Sequence, residues 1–342
     1  MKYNHIRSLS GCRFLIFIAL IGLLGCHSRD KQKYIQTVNG SMEIDTSLVW
    51  LSHEHILVDF IGADSIQHDQ WNRPEIIEEV LPYLDSLKAY QVAVFVDATP
   101  NYLGRDIALL STLSERTGLH ILTNTGLYGA RNNQYIPDQN KNMSPEAMAA
   151  IWIDEFKNGI SGSKVRPGFI KISVDDTLPL KPLHKKLVTA AAITHRATGL
   201  TIASHTGKAS ALWPQLEILK RSGVSPDAFI WVHAQNENEN EELLRAARTG
   251  CWISLDGFGW ELDNQIAKLQ FAKANNFLNR ILISHDAGWY DPQKKVQDIQ
   301  PYTALFTEVY PRLKALGFTD QDWNQLIAIN PSKAYQIRIR TP

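Results

Sequence analysis

From about residue 48 onward the chain alternates two kinds of apolar pattern. Short runs rich in Val, Ile, Leu and Phe recur at 48–55, 92–97, 120–124, 168–173, 200–204, 229–233, 251–255 and 280–284. Runs this short and this apolar read as strands covered on both faces. Between them lie longer stretches in which apolar residues return every three or four positions. Over 74–90, Ile76, Ile77, Val80, Leu84 and Leu87 share one helical face, and over 105–118 Ile107, Leu110 and Leu113 do so. Further helices are predicted over 144–159, 183–199, 213–223, 239–250, 264–276 and 302–317, several of them stopping at a glycine, which tolerates the left-handed turn after a helix. Eight alternating strand–helix units predict an α/β protein, a single-domain (β/α)8 TIM barrel over 44–342. No internal repeat or low-complexity segment interrupts the pattern.

The first 43 residues follow a different rule. Lys2, Arg7 and Arg13 precede an apolar run at 14–24 that is too short to span a bilayer and the right length for a signal-peptide core. The run ends in Leu23-Leu24-Gly25-Cys26, which resembles a bacterial lipobox. Residues 1–25 are therefore expected to be a signal peptide, Cys26 a lipidated N-terminus, and 26–43 a polar tether. The expected location is the cell envelope, as a lipid-anchored bacterial lipoprotein. Cys26→Ala is expected to release the protein from the membrane fraction or to block its processing; fractionation and processing like the wild type would remove the lipobox reading.

Composition narrows the field further. The 342 residues are 44% hydrophobic, enough for a large core, and the formal charge is zero with no basic run, which speaks against a nucleic-acid partner. Cys12 lies in the leader and Cys26 at the lipid site, so Cys251, inside an apolar run, has no thiol partner in the mature domain.

The chemistry gathers where the strands end. In Leu51-Ser52-His53-Glu54-His55 the two histidines lie two residues apart, so in a strand they point the same way while Glu54 turns aside. Lys171 sits inside the fourth run, His205 and His233 close the fifth and sixth, and Asp286 follows the eighth. The C-terminal ends of barrel strands form the working face, so these residues are predicted to converge there. Four histidines, a carboxylate and a lysine suit two divalent ions. The lysine is the unusual member, since a free amine is a cation near neutrality; carboxylated by carbon dioxide it becomes an anionic carbamate with an oxygen for each ion. His5, His27, His68, His120, His184 and His195 lie in leader, tether, loop, helix or strand start, and His285 is expected behind the ligands rather than among them.

With these residues in this order the chain resembles the phosphotriesterase family of the amidohydrolase superfamily. Gly104-Arg105-Asp106, Thr125-Gly126-Leu127-Tyr128, Leu255-Asp256, Ser284-His285-Asp286 and Asn330-Pro331 extend the resemblance over roughly 49–335. The resemblance implies that His53, His55 and Asp286 hold a buried metal, that His205 and His233 hold a more exposed one, and that carbamylated Lys171 and a hydroxide bridge them. The ions would be zinc, with manganese or cobalt as alternatives. The hydroxide would be the nucleophile and Asp286 would accept its proton. Tyr128 matches a tyrosine that lactonase members place near the hydroxide, as a catalytic hydrogen-bond donor. Phosphotriesterases proper carry a histidine, and lactonases an arginine, where this chain has Gly257, and an acidic residue where it has Asn236. The implied activity is hydrolysis of a lactone or carboxyl ester; the alternatives are a phosphotriesterase, or a binding lipoprotein that keeps the barrel without turnover. The implied partners are a small ester or lactone, the membrane through the lipid alone, and a second copy in a homodimer.

The pocket walls should come from the strand-end loops, which supply Trp71, Tyr128, Tyr135, Phe258, Trp260, Trp289 and Tyr290 for an apolar or sugar-like ring, and Arg131 for an anionic group.

Overall fold

The computed structural model describes Met1 and residues 33–67 and 69–342. The expected signal peptide, Cys26 and His68 lie outside the described residues. Among those described, no helix is long and apolar enough to cross a membrane.

Residues 33–342 form one compact unit. It opens with an antiparallel hairpin, β1 (Tyr34–Thr37) and β2 (Gly40–Glu43). This part of the chain, read above as tether, is instead folded: Val38 N–H donates to Ile121 O, Ile337 N–H donates to Tyr34 O, and the Ile35 side chain is buried. Two four-residue strands carry too little periodicity to stand out in a polar stretch, and tertiary contacts decide their conformation.

The parallel strands that follow are β3 (Val49–Leu57), β4 (Val92–Asp97), β5 (His120–Leu122), β6 (Asn124–Thr125), β7 (Phe169–Ser173), β8 (Thr201–His205), β9 (Phe229–Val232), β10 (Trp252–Leu255), β11 (Ile281–Ile283) and β12 (Gly288–Tyr290). One ladder runs β11-β10-β9-β8-β7-β6 and another β12-β3-β4-β5. β5 and β6 are one barrel strand interrupted at Thr123, and β11 and β12 are another. The circle closes where Asp286 N–H donates to His53 O and His55 N–H donates to Ala287 O. The fold is a (β/α)8 TIM barrel. Helices between strands include Arg73–Ser86, Ile107–Thr117, Pro145–Asn158, Pro182–Thr198, Ala209–Arg221, Asn240–Thr249 and Leu262–Ala274. The fifth begins four residues before its predicted start, because Pro214 lies inside the helix rather than at its entrance.

Strand alternation sorts the side chains into two cores. Trp50, Val94, Leu122, Phe169, Ala203, Ile230, Trp252 and Leu282, one from each barrel strand, pack together inside the barrel with Ile35 and Tyr335 beneath. Leu51, Phe95, Ile170, Ile172, Ile202, Phe229, Trp231, Ile253 and Ile281 face outward into the helical sheath. Each large buried side chain contributes roughly 1.5–3 kcal/mol. The interior core fills the lower barrel and leaves the upper end to polar residues.

Two family motifs turn out to be structural fasteners. The Asn330 amide donates to Leu278 O at 2.7 Å and to Ile281 O at 2.6 Å, tying the last helix to the start of β11. Arg105 pairs with Glu155 at 2.8 Å and donates to Asn124 O, while Asp106 caps the Ile107–Thr117 helix by accepting from two of its first amides.

Candidate metal centre

A regular strand with Trp50 pointing inward would turn His53 and His55 outward. β3 solves this with a register shift against β4 between Leu51 and Glu54. The bulge inverts the alternation and re-aims both rings into the barrel. Lys171 and His205 need no such device: they continue the inward positions of Phe169 and Ala203. His233, one residue past β9, would face out by alternation, but its backbone is left-handed, with φ 63°. Asp286 has the same conformation, φ 53°. Non-glycine residues adopt it at an energetic cost, and such strain gathers at functional sites.

Glycines allow the neighbouring backbones to close on these ligands. A Cβ on Gly126, at φ 123°, would overlap the Lys171 carbonyl, and one on Gly288, at φ 96°, would overlap the His55 carbonyl.

The side chains then converge. His55 Nε2 lies 2.9 Å and His53 Nε2 3.5 Å from Asp286 Oδ1. Lys171 Nζ is 3.4 Å from His53 Nε2. The rings of His205 and His233 are 4.3 Å apart, and those of His53 and His233 5.4 Å apart. His233 Nδ1 is held by Asp256 at 2.6 Å and His55 Nδ1 by Thr99 at 2.7 Å, which leaves the Nε2 lone pairs for the centre. Tyr128 OH lies 3.0 Å from His205 Nδ1.

These residues fit a metal ion. Asp286 Oδ1 is buried and has no hydrogen-bond donor, although His55 Nε2 is 2.9 Å away. An imidazole nitrogen and a carboxylate oxygen that close, without hydrogen-bond geometry between them, suit a shared cation. His53, His55 and Asp286 each offer a ligand atom within 4.8 Å of the others.

The electrostatics agree with this donor set. Burial, reinforced by Lys171 and the neighbouring histidines, pushes His53 well below the usual imidazole range, and burial with His233 and Lys171 does the same to His205. Both are thus neutral, as metal ligands must be. Burial also lowers His233, but the Asp256 carboxylate outweighs it and raises the net value. Lys171 is 2% exposed, and burial brings its amine down to about 8 against the pull of Asp286, Asp256 and Asp97.

Above the cluster opens a cavity of about 120 Å³. Of the aromatic and basic residues expected around it, Tyr128, Arg131, Tyr135 and Trp289 line it. Phe258, Trp260, Tyr290 and Trp71 do not. Phe258 and Tyr290 are buried in the outer sheath, where Tyr290 faces opposite to Trp289 along β12; Trp260 is 53% exposed; Trp71 donates to Asp59 at 2.9 Å. Val58, Phe60, Pro100 and Leu103 also line the cavity, a wall the sequence reading missed. Phe60 sits just beyond the first strand, where its position alone could have suggested it. His285 is bound between Glu54 and the Leu305 amide, away from the cluster.

A sequence model of the phosphotriesterase family matches residues 33–335. The chain belongs to the phosphotriesterase family. It is 24% identical over 299 residues to the phosphotriesterase homology protein of Escherichia coli, covering 86% of this chain and all of that one. It is 26% identical to an aryldialkylphosphatase of Saccharolobus solfataricus, covering 83% and 94% of the two chains, and 26% identical to the human N-acetyltaurine hydrolase, covering 76% of each. A mutant organophosphorus hydrolase from Deinococcus radiodurans shares the fold with a TM-score of 0.80 at 24% identity, covering 90% of this chain and 98% of that chain. The protein is a phosphotriesterase-family hydrolase.

Around Gly257, where the resemblance would place a histidine or an arginine, stand the amide side chains of Gln235 and Gln265. Gln235 donates to Asp256 Oδ1 at 2.8 Å and accepts from the Asp256 amide, and Gln265 accepts from the Gly257 amide at 3.0 Å. A Cβ at Gly257 would press on the Gln265, Gln235 and Trp260 side chains. Gln235 therefore braces the carboxylate that orients His233, and Gln265 holds the backbone of the next residue.

Proposed function

We propose that the protein is a binuclear metal-dependent hydrolase of lactones or carboxyl esters. The observation that carries this reading is the Tyr128 hydroxyl, 3.0 Å from His205 Nδ1 at the centre of the cluster. It combines with the amide surroundings of Gly257, which offer no histidine for a proton relay. His53, His55 and Asp286 would hold one ion, His205 and His233 the other, and Lys171 would join them as a carbamate. The neutral amine of Lys171 adds to carbon dioxide, forming an N–C bond and releasing one proton. Zinc suits this nitrogen and oxygen donor set, with manganese or cobalt as alternatives. Ions held there would supply a water of lowered pKa and a Lewis acid for the scissile carbonyl.

The chain's own residues do the rest. Asp286 Oδ1, which lacks a donor, is free to accept a proton at that atom. Burial raises the Tyr128 phenol well above its ordinary range, so the hydroxyl stays protonated and can donate to the substrate oxygen. Asp256 holds the His233 ring, and the apolar wall of Val58, Phe60, Leu103 and Trp289 excludes water. Tyr128→Phe is expected to lower turnover on lactones about ten- to a hundred-fold, equivalent to roughly 1.4–2.7 kcal/mol, with metal content unchanged. Unaltered kinetics would return Tyr128 to a packing role.

A phosphotriesterase is the second reading, favoured by the 26% identity to an aryldialkylphosphatase. Metal-reconstituted protein assayed against lactones, carboxyl esters, N-acyl amides and phosphotriesters, with metal content measured, separates the two. Preference for phosphotriesters would replace the first reading, and absence of turnover in fully loaded protein would favour a binding lipoprotein. The leader over residues 1–25 supports anchoring through Cys26 in the cell envelope, and family resemblance supports a homodimer.

A further inference from the structure

We propose that Arg131 forms an anion subsite at the rim of the cavity, so that the natural substrate carries an anionic group remote from its scissile bond. This rests on the hydrolase reading for what happens at the cavity floor. Apart from Lys171, which lies among the metal-ligating candidates, Arg131 is the cation lining the cavity. Its guanidinium carbon stands 5.3 Å from the centre of the Phe60 ring, on the apolar wall. Among the described residues no carboxylate pairs with it. Its basic neighbour Lys181, by contrast, is taken up by Asp175 at 2.6 Å and Asn132 at 2.7 Å.

The segment that carries Arg131 is built to hold it there. Arg131, Asn132 and Asn133 adopt φ 54°, 58° and 62°, three successive left-handed residues. Side-chain-bearing residues do not take up such a run without support. Here Ala130 N–H donates to Ser173 Oγ at 2.7 Å, and His184 Nε2 lies 3.0 Å from Gly129 O and 3.1 Å from Asn133 Oδ1. A bridge between Tyr128 and Tyr135 closes the loop. The backbone behind the cation is therefore ordered before a ligand arrives, which lowers the entropic cost of binding. A guanidinium with forked donors and no internal acid matches a carboxylate, sulfonate or phosphate. The aromatic strip of Phe60, Tyr135 and Trp289 would take the uncharged body between that group and the floor.

The test uses metal-reconstituted full-length protein and two esters that differ only at the remote carboxyl, mono-p-nitrophenyl glutarate and its neutral methyl ester. Arg131→Gln is expected to raise KM for the acid about ten- to a hundred-fold with kcat nearly unchanged, and to leave the methyl ester within about two-fold. Arg131→Lys should recover part of the loss and Arg131→Glu should deepen it. Calorimetric titration of 5-oxohexanoate, a ketone with the same carboxylate tail and no bond to hydrolyse, gives a readout that needs no turnover, and its sulfonate and phosphonate counterparts distinguish the anion classes. If the methyl ester is hydrolysed but Arg131→Gln treats both esters as the wild type does, the subsite is overturned and the hydrolase reading stands. If neither ester is hydrolysed but 5-oxohexanoate binding is lost in Arg131→Gln, the subsite stands and the hydrolase reading falls. Equal binding to both proteins without hydrolysis overturns both.

Discussion

Lys171→Ala is expected to bind fewer than two equivalents of metal and to lose at least about a thousand-fold in activity, the equivalent of some 4 kcal/mol of transition-state stabilisation. Lys171 Nζ lies 3.4 Å from His53 Nε2 in a cluster shared with Asp286, and the side chain is fully enclosed. An ammonium there would repel two dications in a medium that screens poorly. A carbamate removes the repulsion and adds a bridging anion, whereas alanine leaves neither. Propionate in excess should restore part of the activity by occupying the space of the missing carbamate. Lys171→Arg should not, because guanidinium stays charged and cannot take up carbon dioxide. The measurement is metal stoichiometry together with activity for the three proteins. Two tightly bound ions and full activity in Lys171→Ala would sink the bridged site.

Glu54→Ala is expected to destabilise the fold by about 3–5 kcal/mol, as breaking a buried charged network does. Glu54 is 0% exposed. One carboxylate oxygen accepts from Ser284 Oγ at 2.7 Å, from the His285 amide at 3.1 Å and lies 2.7 Å from His285 Nδ1; the other accepts from the Ala287 amide at 2.9 Å. Removing it leaves these buried groups without partners. The same four bonds clamp the loop on either side of Asp286, the residue held at φ 53°. Metal affinity should therefore fall alongside stability. Urea titration at unchanged slope gives the stability change, and metal retention against a chelator gives the second effect. A loss below about 1 kcal/mol would mean that the loop holds itself and that Glu54 is not its clamp.

Much of this was legible because it depends on local pattern. The strand at 92–97 matches its predicted bounds, and the other barrel strands differ by a residue or two, since fully buried parallel strands are continuous apolar runs; the exception is the last, where the run at 280–284 covers β11 and misses β12. Lys171 and His205 could be aimed inward from the sequence, as each lies two residues beyond an inward-facing Phe169 or Ala203. The hairpin at Tyr34–Glu43 was not legible, because its reason for folding is a seat beneath strands distant in sequence. Pocket walls were equally obscure: Trp289 and Tyr290 are adjacent, yet only the first lines the cavity, and Phe258 turns into the sheath.

The sequence by itself thus determined the barrel and the inventory of its metal-ligating candidates, through the period of two along strands and three to four along helices. Tertiary structure alone decided how those candidates meet. Alternation would have put Trp50 and the His53–His55 pair on opposite faces, and His233 on the outside. A bulge in β3 and a left-handed turn after β9 bring them to one point. Both distortions cost local energy that only closing the barrel and satisfying its buried polar groups can offset. Neither term is visible in a stretch of chain taken alone, because both depend on strands more than two hundred residues apart, such as β3 and β12.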